Sequence, residues 1–499
     1  MLTTTPTTPE SRNGTPTRRD PPGPRTRVRP RSRVAGRPRG SRGEPGWLAR
    51  RLERRRASKL RRRDQRSLEA LRGGTLSLFT KAEVEELARD TGFYRRQPRA
   101  ISAFDFALCA ALGAMAEGKR GFAAVWRLLA AATGVEVARS AVTQRFGAGS
   151  ARLMQGLFEL ALTRLPETPV PDMLTKLDEF GSVLAHDGSV LTLSPLLKKL
   201  FPATRTNSVQ AAGKVHATAD LLRRRIVRVE ITGERESELD VVRAQPIVPG
   251  TLYLNDLGYT SYDHFADIKN GEAHLAMRLK DNANPTVVAV RHGVHAPARV
   301  VRDGVGLQQL SFTKSHDTFD VDAAFKTKNG SAVLRVVGCY NPETDKYHCY
   351  VTTLSADSWT PEELATLYSR RWVIELLFKL LKSSCHLDHL DTSDPNALRT
   401  HIYASLLAAT VMSSLSHAAA EVHGIPVVAI STLTAGIAAP LVVMGLMYLW
   451  RGKRQTPEEM ADAILRVLAI GCRDQNPRRT ATKWGGLRRT QPSEVALRN

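Results

Sequence analysis

The chain has 499 residues, 42% of them hydrophobic, enough for two to four domains and a sizeable core. Its formal net charge of +23 implies a polyanionic partner, most simply nucleic acid. Five scattered cysteines (Cys109, Cys339, Cys349, Cys385 and Cys472) exclude a disulfide framework, no pair has zinc-ligand spacing, and a charged N-terminus without an apolar stretch argues against a secretory signal. Reduced thiols in a cytoplasmic protein, nucleoid-associated when bound to DNA, are the expectation.

The charge is uneven. Residues 1–66 hold 21 Arg or Lys against 5 Asp or Glu. Residues 1–46 are rich in Pro, Arg, Thr and Gly and bury too little apolar surface to order, so they are expected to be a disordered basic tail. Residues 47–76 read as a basic helical arm, either tracking phosphates or lying solvated. Residues 77–168 read as helical. Thr80 and Glu83 form a capping box, helices follow near 101–117 and 121–132, Thr133-Gly134 ends the second, and another starts near Ser140. The last two suggest a helix-turn-helix presenting Ser140, Thr143, Gln144 and Arg145 to DNA; an ordinary helical bundle is the alternative.

From 172 to 280 the pattern becomes strand-like. Ser182–Leu193 is one strand; 214–220 and 225–231 make a hairpin through Leu221–Arg224. A helix near 236–244, the strand ending at Asn255-Asp256, a further helix and the strand 274–280 follow. Lys214 and His216 read as ordinary sheet surface, and His186 as packing on the face opposite Asp187. Residues 281–357 alternate as strands but are not expected to continue that sheet. One helix is then expected from Pro361 to about 385, opened by Thr360, Pro361 and Glu363. On it Tyr368, Arg371, Glu375 and Lys382 fall within an arc of roughly 60°, with Lys379 close by, while the rest of the circumference is largely apolar. Burying that charged seam requires pairing or a metal. The uncharged run 425–450 is divided by Pro426, Gly436, Pro440 and Gly445, which favours two short core or dimer-interface helices over a membrane span.

The spacing Y-(2)-R-(3)-E-(6)-K, together with Val183–Ser189 ending in Asp187-Gly188-Ser189 and Leu252–Tyr259 containing Asp256-Leu257-Gly258-Tyr259, resembles the DDE transposases of the insertion-sequence-four family. The resemblance covers about residues 80–420. It implies an α/β fold: a ribonuclease H-like mixed sheet with a catalytic helix, interrupted by a β-rich insertion, flanked by an N-terminal helical DNA-binding domain and a C-terminal helical region. The implied segments are 77–168 for DNA binding, 172–280 and 358–417 for the core, 281–357 for the insertion, and 418–499 for C-terminal helices and a basic tail.

The resemblance also implies a site. Asp187, Asp256 and Glu375 are the expected catalytic triad and ligands of two Mg2+ ions, with Mn2+ as substitute. Asp187 would bridge both ions. Tyr368, Arg371, Lys382, Arg278 and Lys379 are the expected phosphate contacts. The implied activity is metal-dependent cleavage and strand transfer at the terminal repeats of an insertion sequence, on double-stranded DNA, by a synaptic homodimer, with no membrane partner. The alternatives are an inactive DNA-binding relative and a Mg2+-dependent endonuclease that does not join ends. Well-studied family members stack a flipped base on a Trp of the insertion. This insertion has none, leaving Phe312, Phe319, Phe325 and Tyr340 as candidates.

Overall fold

A computed structural model describes residues 46–473 apart from 95–99, 118–120, 166–174, 205–208, 224, 296–303, 313–316, 343–344, 388–389, 391 and 453–455. Most of the expected N-terminal tail, and the C-terminal tail from 474 on, lie outside the described residues. The chain divides into two compact units, Met1–Arg55 and Arg56–Asn499. Helix α1 (Gly46–Gly73) begins in the first. Its remainder carries exposed Arg and Lys until Leu68 and Leu71 become buried. In this part Arg63 donates through Nε and Nη2 to Asp462 at 2.7 and 2.8 Å, and Ser67 Oγ donates to it at 3.2 Å.

Thr80 and Glu83 cap α2 (Lys81–Asp90) reciprocally, as expected. The apolar helices α3 (Ala103–Glu117) and α4 (Phe122–Thr133) follow, and Gly134 closes α4 at φ +69°, a conformation that favours glycine. The anticipated recognition helix is only α5 (Arg139–Thr143), five residues long, before α6 (Ala148–Arg164). Gly147 stops the helical run after Phe146 turns into the core, and Arg145 sits over the Phe93 ring at 5.5 Å. Ser140, Thr143 and Gln144 are exposed, but one turn and a half is too short to lie along a groove.

The sheet begins with β1 (Ser182–Leu193), β2 (Ala211–Asp220) and β3 (Arg225–Gly233). Helix α7 (Glu238–Arg243), β4 (Thr251–Asn255), α8 (Tyr262–Asn270) and β5 (His274–Arg278) complete the expected order. β1 pairs antiparallel with β2 and parallel with β4, and β4 pairs parallel with β5. All ten residues of β2 are buried, Lys214 and His216 among them, which corrects the reading of these two as sheet surface. β2 is an interior strand, with β1 and β3 on either side.

β6 (Thr286–His292), β7 (Val294–His295), β8 (Val305–Gly306), β9 (Ser311–Phe312), β10 (Thr318–Thr327), β11 (Gly330–Asn341) and β12 (Lys346–Thr352) make up the inserted region. Contrary to expectation it extends the first sheet. β12 pairs antiparallel with β5 through Tyr350↔Arg278, Val351↔Met277 and Thr352↔Ala276. The result is a ten-stranded sheet in the order β3-β2-β1-β4-β5-β12-β11-β10-β6-β8. An uncovered β5 would leave a row of unpaired backbone groups, and β12 satisfies them. A large mixed sheet flanked by helices fits the ribonuclease H-like class.

The single helix expected from Pro361 is two, α9 (Pro361–Ser369) and α10 (Trp372–Ser383). At the join the N–H groups of Arg370, Arg371 and Ile374 bond three residues back, to Leu367, Tyr368 and Arg371. Bonds of that span tighten the turn, so the wheel does not carry across it. The central helix α11 (Pro395–His423) is capped by Asp394, which accepts from the Asn396 and Ala397 N–H groups, and packs against α6 and α3. The run after Gly424 is a short 3-10 turn at Val427–Ala429 and one helix, α12 (Thr432–Trp450), rather than two. Pro440 is tolerated within α12 because it lies on the exposed side, where water reaches the backbone. Both α11 and α12 are long and apolar enough to cross a bilayer by length and composition, and the most apolar window of α11 is 83% buried inside the protein. Last comes α13 (Pro457–Arg466).

Asp462, on α13, is fully buried and also accepts from Arg466. Burial favours its neutral form, but the bonds from Arg63 and Arg466 outweigh that and hold the carboxyl below its ordinary range. A depressed carboxyl stabilises the fold above its unfolded value, and that contribution is lost as pH falls through the folded one. Asp462→Ala should therefore lower stability by about 2 kcal/mol at neutral pH, because it removes the charge-assisted hydrogen bonds from Arg63 and Arg466. Denaturant melts of variant and wild type should converge as the medium is acidified below about pH 4. A constant gap would show that packing alone is responsible.

Candidate active site

The parallel register of β1 and β4 ends with His186 opposite Asn255. Asp187 therefore lies next to the end of β4, whose chain continues directly into Asp256. Asp256 precedes a 3-10 turn, Leu257–Tyr259, which swings the chain off the sheet. Glu375 stands in the first turn of α10, which packs over β1 and β2.

Arg371 joins these groups. Its Nη2 ion-pairs with Asp256 Oδ1 at 3.7 Å and bonds to Glu375 Oε1 one helical turn on. Tyr368 donates its hydroxyl to Asp256 Oδ1 at 3.3 Å, and the Arg371 guanidinium stands 5.6 Å from the Tyr368 ring centre. The break between α9 and α10 permits this, because Tyr368 reaches Asp256 from the last turn of α9 and Arg371 from the join just before α10. Asp187 and Glu375 face one open groove with Ser189, Lys379 and Lys382 along its wall. Arg278 is one register step removed. It pairs with Tyr350 across β5 and β12, and the Tyr350 and Tyr368 rings lie 5.4 Å apart. The Nε atoms of Arg278 and Arg371 are buried without a hydrogen-bond partner among the described residues.

Burial pushes the Asp187 carboxyl up to about 6. The Gly188 N–H and Arg371 oppose the rise, while Glu375 and Asp256 add to it. The three carboxylates thus feel one another electrostatically. Among the described residues, however, no three acidic, imidazole or thiol groups are gathered closely enough to cage an ion as they stand. The Arg371 guanidinium takes the cationic place between Asp256 and Glu375. An all-oxygen donor set around a position already held by a cation suits a hard divalent metal.

His186 behaves as anticipated. It is buried, its Nδ1 lies 2.8 Å from Thr218 Oγ1, and its ring stacks with Tyr253. Burial lowers its pKa to about 3. Two of the candidate stacking rings are withdrawn. Phe319 and Phe325 are both 0% exposed, so neither can receive a flipped base, whereas Tyr340 is half-buried. The side chain of Phe312 lies outside the described residues. Sequence reasoning gave no role to Glu238, which seats its carboxylate against Gly188, although the Ser237 cap beside it was a readable signal.

Residues 178–411 match the family model for the transposase DDE domain. The chain carries a DDE transposase domain. It is 23% identical over 378 residues to the transposase for insertion sequence element IS231B of Bacillus thuringiensis subsp. berliner, covering 67% of this chain and 77% of that protein. The IS231F transposase of subspecies israelensis is 22% identical over the same shares. A shorter segment of 81 residues, 16% of this chain, is 38% identical to the putative transposase InsL for IS186A of Escherichia coli (strain K12), of which it covers 22%. The insertion-sequence-four placement is consistent with these relatives. Within the DDE domain lie all eight sequence-flagged site residues, from Asp187 to Lys382.

The raised Asp187 carboxyl gives a direct check. The folded domain keeps this proton up to about pH 6, where an unfolded aspartate releases it near 4. Stability of the metal-free protein should thus fall as pH rises through that window. Carboxyl 13C titration should place Asp187 near 6, and Arg371→Gln should shift it higher, since Arg371 favours the ionised form. An unmoved titration would separate Arg371 from Asp187.

Proposed function

We propose that this protein is a transposase that binds the terminal repeats of its own insertion sequence and catalyses metal-dependent DNA cleavage and strand transfer. The convergence of Asp187, Asp256 and Glu375 about the Arg371 guanidinium is the observation that carries it. Asp187, Asp256 and Glu375 would hold two Mg2+ ions, with Mn2+ substituting. When bound, such ions activate an attacking oxygen and stabilise the leaving oxygen of a phosphodiester.

The remaining work falls to the chain. Arg371 offers a planar fork to a phosphate, with an Nε donor that has no hydrogen-bond partner among the described residues. Lys379 and Lys382 place two ammonium groups along the groove beside Asp187 and Glu375. Tyr368 orients Asp256 through its hydroxyl. Arg278 carries the basic lining onto the neighbouring strand. Water attacks first and frees a 3′-hydroxyl at the element end; that hydroxyl then attacks the opposite strand or target DNA. Two ends are handled together by a homodimer in the bacterial cytoplasm, and the strong positive charge favours the DNA backbone.

An assay with end DNA, resolved on a denaturing gel, tests this. Cleavage should require Mg2+ or Mn2+ and vanish in EDTA. Glu375→Gln should reduce cleavage by about 10³-fold, the rate equivalent of several kcal/mol of lost transition-state stabilisation, while end binding persists. Retained cleavage would remove Glu375 from the triad. Cutting that never yields joined products would leave a nuclease, and binding indifferent to metal and to Glu375 would leave a DNA-binding protein alone.

A further inference from the structure

A second charged cluster lies against the site and has no part in the chemistry above. Glu238 opens α7, behind the Ser237 cap. Its carboxylate rests on the α-carbon of Gly188, so close that a Cβ added there would stand 3.0 Å from Oε1 and 3.1 Å from Cδ. The other oxygen, Oε2, lies 3.8 Å from the corresponding point on Gly258. Gly188 follows Asp187, and Gly258 is two residues after Asp256. One carboxylate therefore touches the segments that carry both aspartates.

It is fixed from two further directions. The Lys214 ammonium, buried on β2, ion-pairs with Glu238 Oε1 at 3.3 Å and donates to the Glu236 carbonyl at 3.2 Å. Tyr259, 1% exposed, sits beside Glu238: burial, and then the charge of that carboxylate, raise the pKa of its hydroxyl. Lys214 ties the carboxylate to β2, the antiparallel neighbour of β1; Tyr259 sets it beside the turn that follows Asp256. A partly buried ion pair of this kind is costly to form and rigid once formed.

We propose that Glu238 is a positioning residue for the acidic pair, holding the end of β1 and the turn after β4 at a fixed separation and so setting the divalent-cation affinity of Asp187 and Asp256. This rests on the metal-dependent reading above. Glu238 acts through the backbone at Gly188 and through Tyr259; it is not itself a ligand. Outer groups that orient metal ligands are typically worth 10- to 100-fold in metal affinity. A Cβ at Gly188 would oblige the carboxylate to give by a few tenths of an ångström.

The test uses full-length protein and Mn2+ as probe, with affinity read by electron paramagnetic resonance and folding by thermal melting. Wild type should bind Mn2+, and Asp256→Asn should lose that binding. Glu238→Ala should bind about 10-fold more weakly while melting cooperatively. Glu238→Gln, which keeps the side chain's shape against Gly188 but not its charge for Lys214, should fall between. Gly188→Ala should weaken binding with the carboxylate still present. Saturating Mn2+ should restore most cleavage to the Glu238 and Gly188 variants but not to Asp256→Asn. Wild-type affinity in both Glu238 variants overturns the proposal. Should Glu238→Ala not fold, the near-isosteric Glu238→Gln decides alone. Wild-type protein without Mn2+ affinity, or Asp256→Asn with undiminished affinity, overturns the metal-dependent reading and this inference together, and so is distinguishable from failure of Glu238 alone.

Discussion

Two aspartates reach one place because β1 and β4 run parallel and adjacent, with His186 opposite Asn255 as the last pair. Neighbouring strands lie about 4.8 Å apart, so the residues just beyond that pair emerge side by side. Like charges at such a distance disfavour joint ionisation, which contributes to the raised Asp187 carboxyl after burial has done most. The rest of the site answers that repulsion. Arg371 enters between Asp256 and Glu375, Tyr368 donates to Asp256, and two lysines line the groove. Slipping the β1–β4 register by one residue would send Asp187 to the other face and dissolve the arrangement.

The position of α9 depends on a buried ion pair in the inserted strands. Arg335, 5% exposed, bonds Asp320 through Nε and Nη2 and donates to the carbonyls of Leu354, Ser355 and Trp359. Those carbonyls belong to the link between β12 and α9. Trp359 is itself buried and donates its indole N–H to Glu179 at 2.9 Å, immediately before β1. One guanidinium thus fixes where α9 starts, and with it the reach of Tyr368 to Asp256. Deleting Asp320 would leave the buried Arg335 charge uncompensated, whereas deleting Arg335 would leave Asp320 only its longer pair with Arg291 at 3.7 Å.

What was legible in the sequence was local or carried by spacing. Alternation defined β1 to its ends, Thr80 and Thr360 announced their helices, and Gly134 closed another. Tyr368, Arg371, Glu375, Lys379 and Lys382 stood out as a polar seam on an otherwise apolar helix, whereas Asp187 and Asp256 were singled out by resemblance to a family's motifs. What escaped depended on partners distant in the chain. Lys214 looks like surface until β1 and β3 enclose its strand and Glu238 arrives to pair with it. The break at Arg370–Arg371 has no proline or glycine to signal it; it appears only as a change in hydrogen-bond span. Sheet continuity through β12 could not be read from alternation either, because a strand's pattern reports its own faces and not which edge it joins.

That continuity bears on how a DNA end could be held. Because the inserted strands extend one sheet, the inward face of β10 must cover α8, and Phe319, Val321, Ala323 and Phe325 all point into that core. Tyr262 meets Phe325 with ring centres 4.9 Å apart, and Phe265 lies behind it. Turning either phenylalanine out to meet a base would give up about 1.5–3 kcal/mol of burial and open a void besides. The rings that make the insertion a rigid extension of the sheet are therefore unavailable as stacking platforms. A flipped base would have to find its ring at the margin, where Tyr340 packs on Tyr347 with its hydroxyl bonded to Asp345.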